Sequence, residues 1–173
     1  MEIPFCKYSG SGNDFVIIDN RDKKITLDAS QIKLICDRKQ GIGADGVILA
    51  EPGTKSPIKM RIYNSDGSEA EMCGNGLRCL SHFLDKHSIK SPTIESLSGL
   101  HQHEKQGLGI KTSMTEPSGL KQNIRLTDDI SVDYIDTGVP HAVYFVDDVD
   151  TIEVVKLGSF IRNHPQFKPR GVN

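Results

Sequence analysis

The residues with the most chemical capacity lie in one short run, Cys73-Gly74-Asn75-Gly76, followed directly by Leu77-Arg78-Cys79-Leu80. A thiol stands before two glycines and an asparagine, at the point where an amphipathic pattern starts. A helix start leaves backbone N–H groups without intrahelical partners, and its dipole favours negative charge there. A thiol so placed is suited to the thiolate form, the basic and nucleophilic form of cysteine. The same N–H groups can hold the carboxylate of a small substrate. The run thus joins a base or nucleophile to an anion cradle. The bland alternative is a cysteine that is simply a small buried hydrophobe.

The elements around this run must place it. Residues 3–8 and 14–19 read as strands, separated by Ser9-Gly10-Ser11-Gly12-Asn13. Ser30 suits the cap of a helix with the stripe Ile32, Ile35 and Cys36; Arg38 and Lys39 suit its C-terminal end, and Gly41 the position after it. Residues 46–51 form another expected strand. Ile58, Met60 and Ile62 alternate with polar neighbours, the period of a half-buried strand. Asn64-Ser65-Asp66-Gly67 is a turn, and residues 68–72 return as a second hairpin arm that delivers the chain to Cys73. Leu77, Leu80 and Leu84, with Phe83 beside them, predict a helix over 76–87, packed inside a curved sheet. Residues 92–97, 108–114, 123–126, 131–137 and 142–146 read as further strands. A helix over 151–163 is expected to break or bend near Gly158. Hairpins outnumber regular strand–helix alternation, which favours an α+β fold with a mixed sheet.

Composition narrows the function classes. A net formal charge of −2 over 173 residues gives no basic footprint for nucleic acid and no acidic tail. No apolar run reaches membrane-spanning length, and the N-terminal residues lack the apolar core of a signal peptide. The four cysteines, Cys6, Cys36, Cys73 and Cys79, match no small disulfide scaffold. Reduced thiols in a cytoplasmic protein are expected. Cys79 and His82 stand three apart with His101 and His103 downstream, a grouping to weigh for zinc, but it lacks the paired ligand spacing of structural sites. His82 and His87 read as a polar helix face, and His101 and His103 as an exposed strand or turn. Gly41-Ile42-Gly43-Ala44-Asp45-Gly46 satisfies the spacing of a dinucleotide fingerprint, but a helix precedes it and a strand follows. That order is the reverse of what a dinucleotide needs, so the glycines are read as a tight helix-to-strand turn.

Five motifs then occur in one order: Ser9-Gly10-Ser11-Gly12-Asn13-Asp14-Phe15-Val16, the Gly41–Gly46 string, Tyr63-Asn64-Ser65-Asp66-Gly67-Ser68, Cys73-Gly74-Asn75-Gly76-Leu77-Arg78-Cys79, and Gly138-x-Pro140-His141-Ala142. As an ordered set they closely resemble the diaminopimelate epimerases, and the resemblance covers the whole chain. It implies a diaminopimelate-epimerase-like fold: two pseudo-repeated halves, each a barrel-like mixed sheet wrapped around a central helix. It implies an isomerase without cofactor that interconverts LL- and meso-diaminopimelate, in lysine and peptidoglycan-precursor synthesis, using two cysteines as two bases. By the same resemblance Cys73 and His141 are catalytic, and Asn13, Asn64 and Asn173 contact the substrate. Gly74 and Asn75 suit substrate binding as helix-start N–H groups. No metal is expected, and the partner is a small amino acid, with neither nucleic acid nor membrane; the complete protein is a candidate homodimer. Residues 1–117 correspond to a first half, and 118–173 to the start of a second with no closing element.

The chain departs from the family pattern in three ways. Val139 stands where an asparagine usually precedes the Pro-His pair, and Gly46 where many members have glutamine. The later motifs, a Glu-Arg pair and a second glycine-flanked cysteine, have no counterpart, and Cys79 lies only six residues beyond Cys73. This polypeptide alone is therefore expected to be inactive. Proline racemases, hydroxyproline epimerases and phenazine-pathway isomerases share the architecture and remain rival readings. So does a non-catalytic binding module of the same fold.

Overall fold

Phe15-Val16-Ile17-Ile18 and Val47-Ile48-Leu49-Ala50 are apolar at every position, as strands covered on both faces must be. In the computed structural model, which describes residues 2–173, they form β2 (Asn13–Asp19) and β3 (Gly46–Glu51), paired in parallel within one sheet. The sheet runs β1 (Cys6–Gly10), β2, β3, β4 (Ile58–Asn64), β6 (Thr93–Ser96), β7 (Gly99–Gln106) and β8 (Gly109–Thr112), with β5 (Glu69–Ala70) attached to β4. The β4–β6 pair is also parallel, and the other pairs are antiparallel.

Two helices cover the two faces. On one face, Val16, Ile18, Val47 and Leu49 pack with Ile32 and Cys36 of α1 (Ala29–Cys36). On the other, Ile48 and Ile62 approach Gly76 of α2 (Gly74–Lys86) so closely that a Cβ there would lie 2.8 Å from the Ile62 methyl. Ile17 pairs with Ile48 and Ile48 with Ile62, so one apolar row crosses three strands beneath α2. The helix touches β1, β2, β3, β4, β7 and β8. Gly76, Leu77, Cys79, Leu80, Ser81, Phe83 and Leu84 are all buried, more than one stripe, because the sheet curls around the helix.

Several boundaries differ from the sequence reading. β1 starts at Cys6 rather than residue 3 and runs on to Gly10; Ser11 and Gly12 then turn the chain with φ of 56° and 80°, the positive values a two-residue hairpin loop requires. The cap of α1 is Asp28, not Ser30. Its carboxylate accepts from Gln31 N at 2.9 Å, the Gln31 side chain accepts from Asp28 N at 2.9 Å, and Ser30 merely donates to Asp28. Gly41 does not end the helix, which stops at Cys36. It is confined instead by Leu34, whose carbonyl oxygen would lie 1.8 Å from a Cβ, while Gly43 takes the positive φ of 76°. The second hairpin arm shrinks to Glu69–Ala70. β7 was not foreseen, and His101 on it is buried against Ser96 and Ser98 rather than exposed.

The chain divides into two compact units, Met1–Met114 and Thr115–Asn173. The second holds an antiparallel sheet in the order β11 (Pro140–Val143), β10 (Ser131–Asp136), β9 (Ser118–Arg125), together with α3 (Val154–Arg162). Its core is Val132, Ile161 and Val172, ringed by Ile124, Tyr134, Leu157 and Phe167. α3 passes unbroken through Gly158, where a Cβ would meet no neighbour, so nothing forces the expected bend. The final residues form no regular element but are held by backbone hydrogen bonds. Asn173 N donates to Pro140 O, and Ala142 N donates to Asn173 O, both at 2.9 Å, which lays the tail beside β11. Among the described residues no helix is long and apolar enough to cross a membrane.

Candidate active site

Cys73 is the N-cap of α2, with extended backbone at φ −149° and ψ 113°. Two donors converge on its sulfur: Gly76 N at 3.4 Å and the Asn13 amide Nδ2 at 3.9 Å. Among the described residues, the N–H groups of Gly74 and Asn75 donate to no protein acceptor. The helix start therefore offers a partly buried sulfur and two free donors to a ligand, the arrangement suited to a carboxylate held beside the thiol. Met114 closes over this turn, its sulfur and methyl 3.2 Å from where a Gly74 Cβ would stand.

The sheet explains how Asn13 and Asn64 reach the same end. Alternate residues of a strand share a face. Asn13 lies two residues before Phe15 and four before Ile17, and Asn64 two beyond Ile62, so both extend the row that packs under α2. The Asn64 amide donates to Ser68 Oγ at 3.0 Å, and its backbone N–H to Ser68 O. Between them, Gly46 pairs with both Phe15 and Asn64. A Cβ at Gly46 would lie 2.5 Å from Tyr63 O, so the missing glutamine is tied to close strand spacing here.

An ionic clamp that the sequence reading missed fixes these strand ends. Asp14 N donates to the Asp45 carboxylate at 3.0 Å, and Asp45 N donates to the Asp14 carboxylate at 3.1 Å. Arg38 bridges both carboxylates, at 2.8 and 3.0 Å, and Lys7 joins Asp14 at 3.0 Å. The Arg38 guanidinium holds the Asp14 carboxyl well below the usual carboxylate range. Ser65 N donates to Asp45 O at 3.1 Å, so one aspartate ties the turn after Asn64 to the strand that starts at Asn13. The available signal was an Asp directly after Asn13 and another inside the Gly41–Gly46 string.

The other thiols differ from Cys73. Burial pushes the Cys79 thiol up to about 11 and also raises that of Cys36. Cys6 is half-exposed on β1, with its sulfur 3.7 Å from His87 Nε2. The residues weighed for zinc take separate partners: His82 packs edge-on against Tyr8, His101 bonds Ser96, and His103 Nδ1 lies 2.6 Å from Ser81 Oγ.

In the second unit His141 and Asn173 are brought together. Asn173 pairs with the backbone on both sides of His141, and Arg162 donates to its Oδ1 at 2.9 Å. His141 Nδ1 lies 2.7 Å from the Val139 carbonyl, which can only accept, so Nδ1 is the donor in that bond. Val139 thus contributes its backbone where the family pattern has an asparagine side chain.

Residues 5–119 match the family model described as diaminopimelate epimerase. The chain belongs to the diaminopimelate epimerase family. It is similar to the diaminopimelate epimerase of Synechocystis sp., at 40% identity over 193 residues, covering 98% of this chain and 69% of that protein. With the diaminopimelate epimerase of Aquifex aeolicus it shares 38% identity over 185 residues, covering 98% of this chain and 66% of that protein. The fold resembles the crystal structure of a PhzF-family phenazine biosynthesis protein from Bacillus anthracis. The TM-score is 0.61 at 20% sequence identity, over 87% of this chain and 58% of that one. This chain spans about two thirds of the length of the two curated relatives.

Proposed function

We propose that the complete protein interconverts LL- and meso-diaminopimelate by two-base proton transfer, with Cys73 as one base. The observation that carries this reading is the Cys73 sulfur at the N-cap of α2, faced by Asn13 and Gly76 and flanked by two unused N–H donors. The α-hydrogen of an amino acid is a very weak acid. A thiolate on one face takes it, and a thiol on the opposite face returns a proton, so the carbon inverts. The Gly74 and Asn75 N–H groups receive the carboxylate and offset the charge that grows on it. Met114, over the same turn, helps to exclude water.

Asn13 and Asn64 serve the polar groups of the substrate from the sheet side; for His141 and Asn173 the substrate role rests on the family resemblance alone. The opposing thiol is assigned to the part of the family's length that this chain does not span. Cys79 is unsuited to it, being buried on the same helix and held protonated. The reading needs no metal and no pyridoxal group.

The test is deuterium incorporation at the substrate α-carbon in heavy water, catalysed by the complete protein. Cys73→Ala is expected to lower exchange and epimerisation by about 10³-fold or more, with thermal unfolding unchanged. Undiminished exchange in that variant, or inhibition of the wild type by chelators, contradicts the reading.

A further inference from the structure

Arg78 stands one turn into α2, three residues after Asn75 and four after Gly74, the spacings that bring helix side chains together. Its guanidinium donates to Oδ1 of Asn75 and, at 3.3 Å, to Oγ of Ser11 in the hairpin turn before Asn13. A second guanidinium nitrogen lies 3.7 Å from where a Gly74 Cβ would stand. The group therefore lies against Gly74 and Asn75 of the cradle and is tied to the hairpin turn beside it.

The chemistry of that contact is one-sided. A guanidinium has donors only, while a carboxamide has an accepting end and a donating end of nearly equal shape. With Arg78 in place, Asn75 turns its oxygen inward, and the Nδ2 amide is the end left for a ligand. Without Arg78, the carboxamide can rotate and set its oxygen against an incoming carboxylate, which has no proton to share.

We propose that Arg78 is a positioning residue for carboxylate recognition. It fixes the Asn75 amide so that the substrate carboxylate meets N–H donors alone, from the backbone of Gly74 and Asn75 and from the Asn75 side chain. The inference rests on the proposed use of this helix start for substrate binding, and it adds a residue whose contact with substrate is indirect.

The experiment is a double-mutant cycle in the complete protein. Arg78→Met is expected to raise KM for diaminopimelate about tenfold with kcat within about threefold of wild type, and Arg78→Lys to recover part of the loss. In an Asn75→Ala background, Arg78→Met should raise KM little further, since the group it orients is gone. Ser11→Ala, which cuts only the hairpin contact, should leave KM near wild type. If Arg78→Met fails to fold, Arg78→Lys serves in the cycle with the same expected non-additivity.

A second readout uses the 173-residue chain: the diaminopimelate concentration that protects Cys73 from iodoacetamide should rise about tenfold in Arg78→Met. Unchanged KM, an equal KM rise with and without the Asn75 side chain, or unchanged protection overturns the inference. A complete wild-type protein in which diaminopimelate protects Cys73 but whose substrate shows no α-proton exchange overturns the epimerase reading and leaves the role of Arg78 standing.

Discussion

The two units enclose very different amounts of apolar surface. In the first, buried rows on both faces of the sheet lie between α1 and α2, and Ile17, Ile48, Leu77 and Leu80 are fully enclosed. In the second, three buried residues form the core, while Phe145 is 77% exposed and Val155 88% exposed. The contrast separates two ways of holding candidate site residues. Cys73, Gly74 and Asn75 are set by a helix locked inside a curved sheet, and Asn13 by a strand end fixed with an ionic clamp. His141 and Asn173 are held mainly by backbone pairing at a sheet edge and by Arg162. Packing of the first kind transmits strain and resists displacement; edges of the second kind open at lower free-energy cost.

Core truncation should show the difference most strongly. Leu80→Ala is expected to destabilise the first unit by about 4 kcal/mol, and Ile161→Ala the second by about 2 kcal/mol, the two parts of the range for buried aliphatic truncation. Denaturant unfolding followed by hydrogen exchange of the α2 and α3 amides reads each unit separately. Equal losses would erase the distinction.

Two glycines sharpen it at the backbone. Gly41→Ala drives a methyl into the Leu34 carbonyl and should cost about 3 kcal/mol. Gly158→Ala meets open space within α3 and should stabilise the second unit by about 0.5 kcal/mol. A neutral Gly41→Ala would mean that the α1–β3 turn is not the tight approach described.

A smaller effect is expected from pH, and it belongs to the first unit. Burial lowers the proton affinity of His101, so the unfolded chain takes up that proton first. Its contribution is complete above about pH 6.5 and declines as pH falls below that value. Asp14, depressed chiefly by Arg38, adds stability above about pH 4 that is lost on further acidification. Denaturation midpoints measured from pH 7 to 3 should fall in these two stages, and His101→Gln should remove the first. A midpoint that stays level from pH 7 to 5 in the wild type contradicts the buried, neutral His101.

What was legible in the sequence follows the same division. β2, β3, β4 and α2 were readable because their apolar runs are long and their period is clear. β7 was not, because Gly99-Leu100-His101-Gln102-His103-Glu104-Lys105-Gln106 is polar and one buried residue, His101, gives it no pattern; pairing with β6 and β8 decides it. The Asp28 cap was available in the sequence as an acceptor three residues before Gln31, and Ser30 masked it. At the site, Cys73 and its helix start could be read from residue order. The approach of Asn13 to Cys73 could not, since 60 residues separate them and only the strand register brings them together.

The central claim is that the start of α2 makes Cys73 the reactive thiol, while Cys79 on the same helix is inert. The most direct measurement is time-resolved iodoacetamide labelling of the native 173-residue chain at neutral pH, with each cysteine followed by peptide mass spectrometry. Cys73 should label first, and Cys36 and Cys79 only on the timescale of unfolding, since burial both shields these two and raises them. Labelling of Cys36 or Cys79 ahead of Cys73 in the folded chain would contradict the account.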